Sequence, residues 1–278
     1  MEYYYLVAGL PDIQLDDPKG VPSMEVLKAE LEEQLSEEDR KLLYLIYAKY
    51  DNYNLLAYLQ KKDAELNPLG TLRAEDWKEL VTYMEEYEHP VDKRLLPYVK
   101  NFYDLYKDEN FSFENVSQED YLSGLYYEYA MQGQNKFLHD WFEFNLNVNN
   151  LLTAITCRKY GFNPQQYIIG DNEMAQILKK SNARDFGLAG IFDELDSVMH
   201  ISEEGNLLTR EKLLDDLKWK WLDEHTFFNY FSVERVLGFV LKCELINRWR
   251  PLTQEKGTQV FRNLLDILKD GVNFEEQV

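Results

Sequence analysis

Apolar side chains recur at helical spacing along almost the whole chain. In the clearest run each step is three or four residues, which places the whole run on one face of a helix from about 137 to 160: Phe137, Trp141, Phe144, Val148, Leu151 and Ile155. Further segments with this spacing are 24–35, 37–62, 73–87, 92–106, 117–132, 174–181, 210–225, 233–249 and 256–270. No segment alternates for long enough to predict a β-strand. The pattern predicts an all-α fold.

Local signals mark several helix ends. Ser36 and Ser117 precede apolar runs, and each is followed three residues later by an aspartate, Asp39 or Asp120, whose negative charge favours the first turn of a helix. Gly161 follows a basic last turn at the position where a left-handed residue commonly ends a helix. These signals predict helix starts after residues 36 and 117 and a helix end at 161.

A short motif occurs three times, namely an acidic or amide residue followed three residues later by asparagine. The copies are Asp51/Asn54, Asn147/Asn150 and Glu244/Asn247, so their asparagines are separated by 150 − 54 = 96 and 247 − 150 = 97 residues. In the first two copies Leu55 or Leu151 follows the asparagine, and a loop with Gly70 or Gly170 comes later. Coincidence is the alternative, but the equal spacing and shared flanks favour internal duplication.

The duplication predicts three comparable helical lobes, at residues 1–110, 111–205 and 206–278. Only 31 residues follow Asn247, whereas 53 precede Asn54. We therefore expect the N-terminal segment to help complete the third lobe. The period is far longer than that of common helical solenoids, which favours three compact bundles.

Asparagine is a mediocre helix former, so its place in these helices needs a reason. Asn147 and Asn150 lie one turn apart, and a buried amide without a partner costs about 1–3 kcal/mol. We expect the partners to be backbone groups of the loops near Gly70 and Gly170. On this interpretation the motif is structural and binds no ligand.

Charge limits the partners. The chain has 50 acidic and 30 basic residues, a net charge of −20, which repels nucleic acids and anionic lipids and favours a basic partner. Carboxylates in short runs are the candidate interface residues, although such runs are commonly solvated faces: Glu85, Glu86, Glu88, Asp215 and Asp216. Cys157 and Cys243 are far apart in apolar contexts and are expected to be reduced core thiols.

No targeting or membrane segment is evident. The start, MEYYYLVAGLPD, lacks the basic residues and the long apolar run of a signal peptide. No stretch of about 18 apolar residues occurs that could span a bilayer. The sequence therefore predicts a cytoplasmic protein without a transmembrane segment.

Two other classes of protein remain as alternatives. An all-α, Asp-rich chain invites comparison with magnesium-dependent terpenoid synthases, but the paired aspartates at 15–19 and 214–221 lack a third carboxylate one turn on. Four isolated histidines, His89, His139, His200 and His225, indicate no catalytic pair, and no phosphate-binding or hydrolase motif occurs. We expect no catalytic residue, cofactor or metal. The other class is a helical adaptor of a different assembly, which the 20 tyrosines would suit.

The segments that carry the motif resemble one known family. DNYNLLAYLQ with LGTLRAEDW, FEFNLNVNNLLTAITCRKYGF with IIG, and SVERVLGFVLKCELINRWR are similar to successive parts of the C subunit of V/A-type ATPases, the d subunit in eukaryotes. That family repeats an acidic or amide residue, Asn-Leu, a basic position and a Gly-rich turn. The basic and glycine positions are filled by Lys159 and Gly161 in the second copy, and Arg248 replaces leucine in the third. Together with Pro251 and the short length, this indicates a divergent, bacterial member.

The resemblance implies a fold and a function. The fold is a funnel of three pseudo-equivalent helical lobes without catalytic activity. Such a subunit lies on the cytoplasmic face of the membrane rotor ring, which is built of proteolipid, and holds the tip of the central stalk. It passes torque between the ATP-hydrolysing head and the ion-carrying ring. An acidic cavity would attract a basic end of the stalk.

Overall fold

The computed structural model describes residues 2–61, 64–87, 92–109, 111, 113 and 116–252. Within these residues the regular structure is helical and no β-strand occurs, which confirms the all-α prediction. The α-helices are α1 Tyr4–Gly9, α2 Met24–Gln34, α3 Glu37–Gln60, α4 Ala74–Glu86, α5 Pro97–Lys107, α6 Gln118–Met131, α7 Lys136–Tyr160, α8 Glu173–Lys180, α9 Leu195–Ser202, α10 Leu207–Thr226 and α11 Val233–Asn247.

Most helix ends follow the local signals. Ser36 and Ser117 accept hydrogen bonds from the backbone N–H groups of Asp39 and Asp120, at 3.2 and 3.0 Å, as N-caps do. Gly161 ends α7 in the left-handed conformation, with φ of 72°. These three predictions are confirmed.

Other bounds differ from the sequence pattern. The helix predicted from residue 92 begins only at Pro97, because proline fits the first turn of a helix but disfavours helical backbone in the residue before it. Helices α1 and α9, of six and eight residues, are absent from the predicted set. The helix predicted at 256–270 lies outside the described residues.

The three helices that bear the motif, α3, α7 and α11, begin at the same end of the molecule. The Ser36 backbone N–H donates to the hydroxyl of Tyr3 at 3.1 Å, and the Tyr3 N–H donates to the carbonyl of Phe231 at 2.6 Å. Asn135 caps α7 and also donates to Glu234, in the first turn of α11, at 2.9 Å. Side-chain and backbone contacts therefore link the three helix starts.

Packing joins the parts of the chain into one continuous core. Helix α6 packs against both α3 and α7, and α10 packs against α11. Buried apolar side chains from all three predicted segments belong to a single cluster, for example Tyr47, Phe102, Val148 and Leu237. The leucines that follow the first two motifs, Leu55 and Leu151, are fully buried in it. In the described part of the chain, the core is thus continuous across the lobe boundaries predicted at residues 110 and 205.

The N-terminal segment packs on the last described helix. Asn247 donates to the carbonyl of Pro22 at 3.0 Å, and Arg250 donates to the carbonyl of Pro18 at 3.1 Å and to that of Val21. Helix α2, which follows directly, packs against α11. Residues from the two ends of the described chain therefore form one local unit around the third motif. Among the described helices, none combines the length and the apolar composition that crossing a membrane requires.

Candidate functional site

The first motif holds the loop before α4. Asn54 is fully buried, and its side-chain amide makes two hydrogen bonds with the backbone of a single residue, Asn67. Nδ2 donates to the Asn67 carbonyl at 3.0 Å, and Oδ1 accepts from the Asn67 N–H at 2.6 Å. Asp51 accepts from the N–H groups of Thr71 at 2.8 Å and Leu72 at 3.1 Å, and from the Thr71 hydroxyl at 2.7 Å. The motif thus satisfies loop groups that have no secondary-structure partner.

The second motif repeats this arrangement. Asn150 donates to the Ile169 carbonyl at 2.8 Å and accepts from the Ile169 N–H at 3.0 Å, so its amide also pairs with a single backbone unit. Asn147, one turn earlier, accepts from the side chain of Asn172 at 2.9 Å, and Asn172 is the N-cap of α8. In both copies a long helix therefore binds the loop that leads into the next short helix.

Glycines occur where these loops approach the long helices. A Cβ atom on Gly70 would lie 2.4 Å from Nδ2 of Asn54 and 2.9 Å from Oδ1 of Asp51, which leaves no room for a larger residue. Gly170 has φ of 74°, which favours glycine, and its Cβ would lie 3.2 Å from Leu146.

In each of the two glycine loops a lysine donates hydrogen bonds to backbone carbonyls. Neither lysine is among the site residues predicted from the sequence. Lys28 in α2 donates to the carbonyls of Leu69 at 3.1 Å and Gly70 at 2.7 Å, and burial lowers its pKa. Lys179 in α8 donates to the carbonyl of Gly170 at 2.7 Å. Lys179 follows Gly170 closely enough to be found from the local sequence. Lys28 precedes Gly70 by 70 − 28 = 42 residues, so only the fold brings it there.

The third motif makes different contacts. Asn247 donates to the carbonyls of Pro22 at 3.0 Å and Cys243 at 2.8 Å, but proline has no N–H that could complete a two-bond pair. Glu244 accepts from the Tyr50 hydroxyl and forms a salt bridge with Lys49, each at 2.6 Å. The third copy therefore also binds a loop before a short helix, here from the N-terminal segment, while its acidic residue joins α11 to α3.

The candidate interface carboxylates fall in different environments. Glu85 and Glu86 are exposed at the end of α4, and Glu85 accepts from Tyr103 at 2.9 Å and Lys107 at 3.0 Å. Asp216 pairs with Lys220 at 2.6 Å. Glu88 lies outside the described residues.

Asp215 does not fit the interface prediction. It is 1% exposed, and its Oδ2 accepts from Arg248 at 2.9 Å and from the indole of Trp249 at 2.7 Å. Burial raises its pKa, while these two donors act in the opposite direction. An adjacent pair of aspartates on a helix points to different sides, so one can be buried while the other is solvated. Asp215 instead holds the turn after α11 against α10.

Exposed carboxylates gather around one surface depression of about 670 Å³ beside α4. Its acidic residues are Glu75, Glu79, Glu86 and Asp92, against the cations Lys78 and Arg94. We call this depression the acidic surface. Its carboxylates outnumber its cations, so it favours a basic partner.

A second cavity, of about 280 Å³, lies where the three long helices converge. Its charged residues are Lys49 from α3, Lys218 from α10, and Arg248 and Glu244 at the end of α11. Lys218 forms no salt bridge within the described chain, and its pKa is lowered by burial and by the charges of Arg248 and Lys49. This interhelical cavity is more basic than acidic.

Six aromatic side chains are exposed close to where the long helices begin. Four come from the loop between α10 and α11 and two from α1: Phe227, Phe228, Tyr230, Phe231, Tyr4 and Tyr5. The rings of Tyr4 and Phe231 contact each other, with centroids 4.5 Å apart, and Tyr5 is 97% exposed. We call these six the aromatic surface. Exposed aromatic residues in such a group are typical of protein interfaces.

The described residues contain no group of three or more His, Cys, Asp or Glu side chains arranged to hold a metal ion. Both cysteines are buried and free. Comparison with curated proteins finds no match. A family model described as "Protein of unknown function (DUF2764)" matches residues 1–272, almost the whole chain, and this protein therefore belongs to that family.

Proposed function

We propose that this protein is a non-catalytic connector of a V/A-type ATPase, related to the C or d subunit, that joins the central stalk to the membrane rotor ring. In this role it forms a funnel of three pseudo-repeated helical bundles. It associates peripherally with the cytoplasmic face of the membrane through the complex and transmits torque during ATP-coupled ion transport.

The observation that carries the proposal is the repeated loop-binding device. Two long helices use an asparagine in the same position of the motif to pair with one backbone unit of a loop, and the third uses its asparagine on an N-terminal loop. All three helices begin at one end of the molecule. Two matching supports and a related third one, on helices that begin at the same end, suit a part that holds a shaft and does no chemistry on a small substrate.

Two surfaces supply contacts for the two partners. The acidic surface carries Glu75, Glu79, Glu86 and Asp92, and it would attract a basic end of the stalk. The aromatic surface lies apart from it, on α1 and the α10–α11 loop, and offers the apolar area that a contact with the proteolipid ring requires. A connector needs two such separate surfaces.

Binding to a purified central stalk tests the proposal. We expect the full chain to capture the stalk of a V/A-type ATPase at low salt and to lose affinity as salt rises, because exposed charges are screened. Reversing two exposed charges of the acidic surface, with Glu75→Lys and Glu86→Lys together, should weaken capture about tenfold or more, since like charges then face the basic partner.

A matched control is available on α2, where Glu30 and Glu33 are exposed and lie outside the acidic surface. The variant Glu30→Lys/Glu33→Lys has the same net charge as the test variant and should bind the stalk like the wild-type chain. If the wild-type chain binds neither the stalk nor the ring at low salt, the result would contradict the proposal. It would favour the second candidate, a helical adaptor of another assembly, which the aromatic surface also suits.

A further inference from the structure

A large, mostly apolar cavity shares only Arg94 with the acidic surface and no residue with the aromatic surface. It has a volume of about 880 Å³ and lies between α3, α4, the start of α5 and the end of α6. Its walls include Leu42, Leu45, Leu72, Leu95, Leu96 and Val99. Pockets for small organic ligands typically have volumes of roughly 300–1,000 Å³ and mostly apolar walls. The cavity has the size and lining of such a pocket.

One polar group in the wall lacks a partner. Trp77 is 1% exposed and lines the cavity, and the N–H of its indole ring has no acceptor in the described part of the chain. A buried donor is rarely left unpaired, because it has lost its hydrogen bonds to water and gained none in return. Because this N–H is also inaccessible from the cavity, Trp77 contributes its ring to the wall and no hydrogen bond to a ligand.

At this cavity, positive side chains without a salt bridge in the described chain outnumber negative ones. Asp51 is buried and accepts hydrogen bonds from the neutral groups of Thr71 and Leu72. Arg94 forms salt bridges with Asp92 at 2.7 Å and with Asp76 at 2.9 Å.

The remaining charged residues of the cavity wall are two lysines. Lys41 and Lys93 also line the cavity, and both are exposed. Neither forms a salt bridge within the described chain. The exposed charged groups at the cavity that lack an ion-pair partner in the described chain are thus both positive, in a protein whose net charge is −20. An anionic group on a ligand would meet two free ammonium groups there.

We propose that this cavity binds an amphipathic organic anion, a molecule with an apolar body and one carboxylate or phosphate group. The apolar body fills the leucine-lined space. The anionic group lies at the mouth near Lys41 and Lys93, while the apolar body contacts the ring of Trp77 in the wall. This site is independent of the connector role, because it uses no residue of the acidic surface except Arg94.

Nuclear magnetic resonance on the full chain tests the proposal with dodecanoate below its micelle concentration. The chain has five tryptophans, and the indole N–H signal of Trp77 is identified by its loss in Trp77→Phe. We expect dodecanoate to move this signal saturably at one equivalent per chain. We expect dodecanol, with the same chain length and no charge, to bind more weakly.

Charge variants locate the anionic group. Lys41→Gln/Lys93→Gln should weaken dodecanoate binding about threefold, the scale of exposed ion pairs. The control Lys19→Gln/Lys212→Gln removes two other exposed lysines and should leave the affinity unchanged. A Trp77 signal that stays fixed while dodecanoate is added would overturn the proposal, and so would equal affinities for dodecanoate and dodecanol.

Discussion

Replacing Asn54 with leucine will lower the free energy of unfolding by about 2–6 kcal/mol. The amide pairs with both the N–H and the carbonyl of Asn67, and leucine leaves both buried groups without a partner at about 1–3 kcal/mol each. Chemical denaturation followed by circular dichroism measures the loss. The expected loss is large because most stabilities lie between roughly 5 and 15 kcal/mol.

The other two asparagines extend this test into a series. Asn150→Leu should cost about as much as Asn54→Leu, since Asn150 makes the same two bonds with Ile169. Asn247→Leu should cost less, because Pro22 offers only a carbonyl. Asn101→Leu is the control, as Asn101 is exposed on α5. Unchanged denaturation midpoints for Asn54→Leu and Asn150→Leu would show that these amides do not hold the loops.

Replacing Gly70 with alanine will destabilise the protein by about 1–3 kcal/mol, the usual range for adding a methyl group to a filled space. The new Cβ would lie 2.4 Å from Nδ2 of Asn54, so the loop or the asparagine must move and the bonds between them weaken. Thermal unfolding measures this loss. The matched control is Gly205→Ala, because a Cβ on Gly205 meets nothing within 4 Å.

A double variant identifies the cause. In Asn54→Ala/Gly70→Ala the shortened side chain at position 54 removes the closer of the two clashes and leaves the one with Asp51, so the two losses should sum to more than the loss of the double variant. Strictly additive losses would mean that Gly70 and Asn54 do not interact. A neutral Gly70→Ala would contradict the close packing directly.

The helices could be predicted because the sequence signals that specify a helix lie within the helix itself or next to its ends. The apolar period along α7 and the serine caps of α3 and α6 depend on residues within a few positions of one another. Length alone does not decide whether a helix is predicted, because α8 and α9 both have eight residues and only α8 was predicted. The start of α5 was misplaced because the period continued upstream of Pro97, where proline stops the helix.

The candidate site could be predicted only in part. The repeated spacing drew attention to Asn54 and Asn150, but the chain gives no local sign that Lys28 reaches the Gly70 loop. The run at Asp215 and Asp216 reads as one acidic patch, yet one of the two is buried against Arg248. A charge run does not reveal which side of its helix faces the core, because tertiary packing decides this.

Electron cryomicroscopy of the ATPase, purified through an affinity tag on this chain, tests the connector role most directly. The account predicts that intact ATPase copurifies and that α1–α11 are found between the central stalk and the membrane ring, with the ends of α3, α7 and α11 around the stalk axis. Failure of any ATPase to copurify, or an ATPase in which another subunit occupies that position while this chain binds elsewhere, would contradict it.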